Sequence, residues 1–309
     1  MQRLLTSSIY LLIAILPFQT RYIFKEDINP FAVTSIYVFD LVLIVVTLFW
    51  LWHWYHTTSP TVNKPAVYLG TTIAILAIFS CYFAGNREVA LHYLLHFFGG
   101  LSLMAIIATS PIKLRNVMWI LFAQSIVQAV FSILQFTMQS VVADRYLGMA
   151  QQLPVDSGVA VVATTAGRFL RSYALMPHPN IAAGVIVLGL VAAFFLNIQR
   201  DWEKYLAMVG MGVATLGLAL TFSRSGLLAY AIVLIVLVIS KMKHYHLLAT
   251  TVGVLLVSFV YLFPLFTSRL DTSIYTEQIS ISERATQVHQ AATLLPRYGP
   301  QGTGLGQYT

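Results

Sequence analysis

The sequence predicts an all-α fold, a polytopic bundle of transmembrane helices, and three observations lead to that prediction. Of the 309 residues, 58% are apolar and only 9% are charged, whereas about 25% are charged in a typical globular chain. The mean hydropathy is +0.77. Apolar runs of roughly twenty residues, long enough to cross a bilayer as helices, recur along the chain. This composition excludes a soluble enzyme, a nucleic-acid-binding protein and a disordered chain.

Nine apolar stretches, bounded by charged residues, Pro, Gly or Asn, are expected to cross about 30 Å of hydrocarbon as helices. In chain order they run from Leu4 to Phe18, Ala32 to Trp54, Ala66 to Ala84, Val89 to Ala108, Val117 to Met138, Ile181 to Leu196, Tyr205 to Phe222, Leu227 to Ser240 and Leu247 to Phe266. The first stretch lacks the small-residue cleavage site of a signal peptide, so we interpret it as a span. We expect residues 1–309 to form a single transmembrane domain.

Positive charges in the short loops predict the orientation, because cytoplasmic loops are enriched in Lys and Arg. With a cytoplasmic N-terminus, alternation of the nine spans places the following lysines in inner loops: Lys64, Lys113, Lys204, Lys241 and Lys243. Only Lys25 then falls outside. The N-terminus is therefore expected in the cytoplasm.

Two long connections, residues 139–180 and 267–309, then face the extracytoplasmic side. Long loops of a compact protein are usually functional or disordered, and both connections keep regularly spaced apolar residues. Their basic residues are all arginines, namely Arg145, Arg168, Arg171, Arg269, Arg284 and Arg297. We expect the functional site in these two connections.

The second connection contains a predicted amphipathic helix. Its apolar residues recur at a spacing typical of one helix face, at Ile281, Ala285, Val288, Ala292 and Leu295. Ser280 and Glu283 have the spacing of a capping box, and Pro296 is expected to end the helix. Arg284 then lies in the first turn, near the headgroup level. The alternative is a surface helix whose arginine only contacts lipid phosphate.

Closely spaced glycines follow this helix, and they include Gly302 and Gly304. Such glycines allow backbone N–H groups to converge on an anion, or a ligand to approach the chain. The segment does not follow a strand, so a nucleotide-binding fold is not implied, and a flexible turn is the alternative.

The first connection ends directly before the sixth apolar stretch, at a sequence typical of a helix start. His178, Pro179 and Asn180 stand there, and a helix N-terminus pointing outward favours an anion. A cap with nothing bound is the alternative. Arg168 and Arg171 are three residues apart and would share a face if this segment were helical.

Two further charged residues lie near the predicted membrane boundary. Arg224 is in a short outer hairpin, where it either extends to the interface or joins the other arginines, because a central position is costly. Asp40 lies toward the outer end of the second stretch and needs a partner; we favour pairing with an outer arginine over a proton relay or an ion site.

Several kinds of site are not indicated. His92 and His96 are four residues apart, but two histidines without a third ligand make a poor metal site, so neither a metal nor another cofactor is expected. The single cysteine, Cys81, excludes a disulfide framework. Neither a paired carboxylate nor a nucleophile triad is recognisable. Outer arginines beside a helix N-terminus and a glycine-rich segment suit a phosphate ester, and at a membrane surface this indicates a lipid diphosphate.

Three short stretches resemble the bacterial O-antigen ligase and O-antigen polymerase superfamily. They are Arg171-Ser-Tyr-Ala-Leu-Met-Pro-His-Pro-Asn180, Ser223-Arg-Ser-Gly226, and Glu283-Arg284 followed by Pro296 and Gly302-Thr-Gly-Leu-Gly-Gln-Tyr308. The family usually has Gly-Thr-Phe where this chain has Ala174-Leu-Met176. The resemblance covers the whole chain in layout, but only these stretches in residues.

The resemblance implies a metal-independent glycosyltransferase of the GT-C type in the bacterial inner membrane. It would transfer a glycan from undecaprenyl diphosphate to an acceptor hydroxyl on the outer face, in lipopolysaccharide or polysaccharide biosynthesis. Arg171 and Arg284 match the two arginines that hold the donor diphosphate, with Arg168 and Arg224 as supporting charges. Lipid, glycan and protein acceptors, corresponding to ligase, polymerase and protein O-oligosaccharyltransferase, stay open.

The resemblance also implies that the family's catalytic histidine and further spans would follow Thr309. We therefore expect a C-terminal truncation, with the general base outside this chain and the fragment inactive alone. A transporter of an anionic lipid or solute is the alternative from another class of protein; it would bind the diphosphate and leave the glycosidic bond intact. A membrane anchor without a ligand would have scattered outer arginines.

Overall fold

A computed structural model describes residues 2–27, 29, 32–56, 64–241, 244–270, 275–299 and 302–307. Within these residues the fold is mostly helical, so the predicted fold class is confirmed at that level. The helices are α1 (Gln2–Ile15), α2 (Val38–Tyr55), α3 (Lys64–Tyr82), α4 (Arg87–Thr109), α5 (Leu114–Met138), α6 (Pro179–Phe194), α7 (Asp201–Leu220), α8 (Arg224–Ile239), α9 (Tyr245–Tyr261), α10 (Phe263–Leu270) and α11 (Tyr275–Tyr298). The strands form two antiparallel hairpins, β1 (Arg21–Lys25) with β2 (Thr34–Tyr37) and β3 (Val161–Thr164) with β4 (Gly167–Leu170).

The predicted number of nine membrane spans is not supported. Among the described residues, α2, α4, α5 and α7 are long and apolar enough to cross a bilayer, and α9 with α10, bent by 84°, makes a fifth if the two form one span. Both α6 and α8 have only 16 residues, a rise of about 24 Å against about 30 Å of hydrocarbon. The prediction counted apolar stretches as short as 14 residues, from Leu227 to Ser240, as spans, and the helices in the short stretches are not long enough to cross. The apolar helices nevertheless indicate a membrane protein.

The chain divides into two compact units, and the first contains Met1–Leu12, Arg21–Ile112 and Ser280–Thr309. In this unit α4 packs against both α2 and α3. The hairpin of β1 and β2 precedes α2, so the predicted second span, which began at Ala32, was wrong at its start: Thr34–Tyr37 form β2, and the helix begins at Val38. Lys25 on β1 forms an exposed ion pair with Glu88 at 2.6 Å, and this hydrogen bond raises the pKa of Lys25.

The second unit contains Ile13–Thr20 and Lys113–Ile279. Helix α5 packs against α6 and α7, and α7 packs against α9. Small residues allow this close packing: a Cβ atom on Gly189 would lie 2.5 Å from the Leu121 carbonyl oxygen, and one on Gly217 would lie 2.5 Å from the Cα of Ala129. Close approach at small residues is typical of helix packing in membranes.

The long connection after α5 lies within the second unit. Its first part is held by isolated β-bridges between Val141 and Gln152 and between Asp144 and Met149. The hairpin of β3 and β4 follows, and β3 lies against α10. The chain then runs through an irregular segment, residues 171–178, into α6.

Helix α11 differs from the predicted amphipathic helix at both ends. It begins five residues before Ser280 and continues two residues beyond Pro296. The predicted stop was wrong: Pro296 lies inside α11, where it lacks the N–H that would donate to the Ala292 carbonyl, and the helix continues for two more residues. Ser280 and Arg284 lie within α11, beyond its first turn, so the predicted helix start at a Ser280 capping box and the predicted first-turn position of Arg284 were wrong.

Candidate functional site

The irregular segment 171–176 is buried in the second unit, and two glutamine side chains on α5 satisfy its backbone. The Gln135 Oε1 atom accepts from the amides of Tyr173 and Ala174 at 3.0 and 2.8 Å, and its Nε2 atom donates to the Ala174 carbonyl at 2.8 Å. Gln128 Oε1 accepts from the next amide at 3.0 Å. Buried irregular backbone needs such partners. Helix α5 therefore determines the path of this segment.

Ala174 has a strained backbone conformation within this segment. Its φ is +52°, in the left-handed region that favours glycine, and the residue is fully enclosed. The backbone therefore follows a path suited to glycine, and the contacts to Gln135 hold it there.

Neighbouring residues anchor the segment further. The Ser172 hydroxyl donates to the Ser132 carbonyl of α5 at 2.8 Å, and the Ser172 amide donates to the Leu220 carbonyl at 3.2 Å. Burial raises the pKa of the Tyr173 phenol, whose oxygen accepts from the Ala160 amide at 2.7 Å. The segment is thus tied to α5, to the end of α7 and to the strand region before it.

Arg171 is the predicted site residue that the fold holds most firmly. Its side chain is buried, with only 5% of the residue exposed. The Nε atom donates to the Thr221 carbonyl at 2.9 Å, and one terminal nitrogen donates to Asn180 Oδ1 at 2.7 Å. Thr221 is the C-cap of α7, and Asn180 lies in the first turn of α6. The guanidinium therefore bridges the C-terminal end of α7 and the N-terminal end of α6.

The start of α6 agrees with the predicted helix N-terminus. His178 is the N-cap, Pro179 is the first helical residue, and the His178 Nδ1 atom accepts from the Asn180 amide at 3.1 Å. His178 is exposed and Asn180 is half-buried. Asn180 therefore links Arg171 to the positive end of the α6 dipole.

The start of α8 lies beside the start of α6. The Ser223 side chain caps α8 by accepting from the Gly226 amide at 3.3 Å. A Cβ atom on Gly226 would lie 2.7 Å from the Cβ of Ala183, near the beginning of α6. Arg224, the first residue of α8, donates to the Arg269 carbonyl at 2.9 Å. Two positive helix ends and the Arg171 guanidinium thus share one region of the second unit.

Arg168 lies apart from this arrangement. It is exposed on β4 and donates to the Asp156 carbonyl at 3.2 Å. The helical conformation under which Arg168 and Arg171 would share a face does not occur, because β4 occupies this stretch. Side chains three positions apart along an extended chain point to opposite faces.

Arg284 belongs to the first unit and has very different surroundings. It is exposed on α11, and its helical neighbours Ala285 and Val288 are exposed as well. The predicted apolar face of this helix is therefore exposed at every residue whose side chain the structure describes.

The glycine-rich segment after α11 also lies in the first unit. Gly302 has a φ of +67°, and a Cβ atom there would have no neighbour within 4 Å. Gly304 has a φ of +96°, and a Cβ atom there would lie 2.5 Å from the Cα of Ala84. The Gln307 side chain accepts from the Asn86 amide at 3.0 Å and donates to the Asn86 carbonyl at 3.2 Å. Gly304 thus allows close packing against the turn before α4.

Asp40 pairs with a histidine and not with an arginine, so the favoured pairing was wrong. Its Oδ2 atom lies 3.1 Å from His96 Nε2 and accepts from the Tyr37 amide at 2.8 Å. Because α2 and α4 pack together, the carboxylate meets a residue of the adjacent helix within the same unit.

The glutamines that hold the irregular segment were not predicted from the sequence. Four polar residues of α5 have the spacing of one helix face, namely Ser125, Gln128, Ser132 and Gln135. All four are buried. A polar stripe on an otherwise apolar span is the signal that could have found them, because such residues are conspicuous in a membrane helix.

Comparisons with known proteins do not assign a family. The chain matches no protein-family model, no curated protein and no solved structure.

Proposed function

We propose that this protein is a metal-independent glycosyltransferase of the O-antigen ligase and polymerase type, with a GT-C-like architecture. It transfers a glycan from undecaprenyl diphosphate to an acceptor hydroxyl at the outer face of a bacterial inner membrane. The observation that carries the proposal is the buried Arg171 guanidinium, which bridges the C-terminal end of α7 and the start of α6. Burial and two hydrogen bonds hold this charge in place before a ligand arrives.

The electrostatics of this region suit a diphosphate. Arginine keeps its charge and binds phosphate oxygens through a planar fork, and helix N-termini favour anions. Arg224 at the start of α8 adds a second positive charge. In the proposed reaction the acceptor oxygen forms a bond to the anomeric carbon, and the bond from that carbon to the diphosphate oxygen breaks. The electron pair leaves with the diphosphate, whose charge Arg171 stabilises, while the acceptor proton passes to a general base.

The other predicted residues have supporting roles in the proposal. Asn180 and His178 shape the start of α6 around Arg171. Arg284, in the first unit, has a donor-binding role by the resemblance alone, as do Gly302 and Gly304, and Arg168 is a peripheral positive charge. The proposed N-terminus is cytoplasmic, and the proposed donor site is extracytoplasmic.

The proposal is tested by bond cleavage in proteoliposomes that contain the full-length protein and undecaprenyl diphosphate-linked glycan. Three arms supply a lipid A core, a second donor glycan or a peptide, and release of undecaprenyl diphosphate is measured. Release in one arm identifies the acceptor class. Movement of intact donor across the membrane without cleavage in any arm would overturn the proposal in favour of a transporter.

A matched pair of variants tests the role of Arg171. Arg171→Lys keeps the charge and loses the fork, so kcat/KM should fall about 100-fold. Arg145→Lys changes an exposed arginine of the same connection and should leave kcat/KM unchanged. Equal rates in the two variants, with equal amounts of protein in the membrane, contradict the assignment of Arg171.

A further inference from the structure

A cavity of about 400 Å³ lies in the first unit between α2 and α4. The two helices run parallel here, since Asp40 near the start of α2 meets His96, and Trp50 further along donates to Thr109 at 2.9 Å. Phe24, on β1, also lines the cavity. The cavity involves none of the arginines of the proposed donor site.

Asp40 and His96, at the polar end of the cavity, already have partners within the protein. His96 Nε2 lies 3.1 Å from the Asp40 carboxylate, and His96 Nδ1 lies 3.0 Å from the His92 carbonyl oxygen. The Asp40 Oδ2 atom also accepts from the Tyr37 amide at 2.8 Å. Both nitrogens of His96 and this carboxylate oxygen are therefore engaged by protein atoms.

Two polar side chains at this end are available to a ligand. Ser35 is only 3% exposed, lines the cavity, and makes no side-chain hydrogen bond within the described part of the chain. The His92 ring also lines the cavity and packs edge-on against the rings of Tyr93 and His96. A hydroxyl group can both donate to and accept from such partners.

The walls of the cavity are apolar and open outward. Ile44, Leu48 and Leu95 line it, and they are 52%, 62% and 72% exposed. They lie on two helices that are long and apolar enough to cross a bilayer, and in a bilayer the hydrocarbon would meet this opening. No Lys or Arg occurs among the described residues that line the cavity. A phosphate headgroup would therefore find the Asp40 carboxylate and no Lys or Arg side chain.

We propose that this cavity binds a neutral lipid with a hydroxyl headgroup, in the chemical class of long-chain alcohols. The alkyl chain lies along the walls of α2 and α4, and the hydroxyl exchanges hydrogen bonds with Ser35 and the His92 ring. The site is separate from the proposed donor site in its residues and in the charge of its ligand.

Photolabelling tests the proposal on the full-length protein in phosphatidylcholine vesicles. The probe is a diazirine-bearing hexadecanol, and mass spectrometry measures labelled peptides of α2 and α4. Gly99→Leu fills the cavity, since a Cβ atom on Gly99 already lies 3.3 Å from the Leu43 side chain. Labelling of α2 and α4 should fall about tenfold, because the buried apolar contact of the chain is lost. Gly100→Leu is the matched control, since a Cβ atom there has no neighbour within 4 Å.

The headgroup is tested by competition and by a second variant that leaves the packing of α2 and α4 in place. Unlabelled hexadecanol should compete for the site, and hexadecyl phosphate should compete poorly. His92→Leu should weaken labelling about fivefold through the lost hydrogen bond, whereas His56→Leu, an exposed change at the end of α2, should not. Even labelling of all apolar helices, equal labelling in the two glycine variants, or equal competition by the phosphate overturns the proposal.

Discussion

Arg171 and Arg284, for which we propose the same donor-binding role, have different surroundings. Arg171 is buried, and its guanidinium donates to Thr221 and Asn180. Arg284 is exposed on α11. The protein thus presents these two positive charges in different ways. One charge is held by the fold before any ligand binds, and the other keeps its side-chain freedom until a ligand, a lipid or another part of the protein restrains it.

This difference has an energetic consequence. A preorganised arginine loses little side-chain entropy when it binds a phosphate, whereas an exposed one loses more. Removing Arg171 should therefore affect both folding and binding, while removing Arg284 should affect binding alone. The following variants test this distinction, in order of decreasing expected effect on stability.

Gln135→Leu should have the largest effect, because it breaks the side-chain contacts that hold the segment of Arg171. Two buried amides and one buried carbonyl lose their partner, so the free energy of unfolding should fall by about 4 kcal/mol. Thermal unfolding in detergent micelles measures the change. Gln151→Leu, an exposed change in the same unit, is the control. If both variants melt alike, the glutamine does not hold the segment.

Gly304→Ala tests whether the segment after α11 is packed firmly although α11 itself is exposed. The new Cβ atom would overlap Ala84, and the left-handed backbone adds strain, so the free energy of unfolding should fall by about 3 kcal/mol. Gly302→Ala has the backbone strain without the overlap and should cost about 1 kcal/mol. Equal melting temperatures of the two variants would show that the contact with Ala84 does not form.

Arg171→Ala and Arg284→Ala test directly whether the buried arginine contributes to stability and the exposed one does not. Arg171→Ala leaves the Thr221 carbonyl and the Asn180 side-chain oxygen without their donor, so the free energy of unfolding should fall by about 2 kcal/mol. Arg284→Ala changes an exposed side chain and should alter stability by less than about 0.5 kcal/mol. Thermal melts of both variants without ligand measure the difference. A larger loss of stability in Arg284→Ala than in Arg171→Ala would contradict this distinction.

The sequence predicted the helices well because hydropathy is a local property of each stretch. It overestimated the number of spans because it counted short apolar stretches as spans. The stretch from Leu227 to Ser240 has 14 residues, and α8, the helix that forms there, has 16, which is fewer than a bilayer requires. The start of α6 was predictable, since His178, Pro179 and Asn180 have capping chemistry that acts within a few residues.

The burial of Arg171 and the partner of Asp40 were not predictable from the sequence. Both depend on contacts between residues distant along the chain: Gln135 on α5 holds the segment of Arg171, and His96 on α4 meets Asp40 on α2. A single sequence gives the composition of each helix but does not show which helices pack together. The polar stripe on α5 indicated a buried face without showing what it contacts.

Ala174→Gly should have the smallest effect and the opposite sign. The segment that positions Arg171 follows a left-handed path at Ala174, where glycine carries no Cβ penalty, so the variant should gain about 1 kcal/mol in stability. Ala182→Gly is the control: Ala182 is buried within α6, and glycine in a helix should cost about 1 kcal/mol. Thermal melts measure both. If Ala174→Gly instead lowers the melting temperature, the backbone at this position is not left-handed, and the described positioning of Arg171 by the segment is wrong.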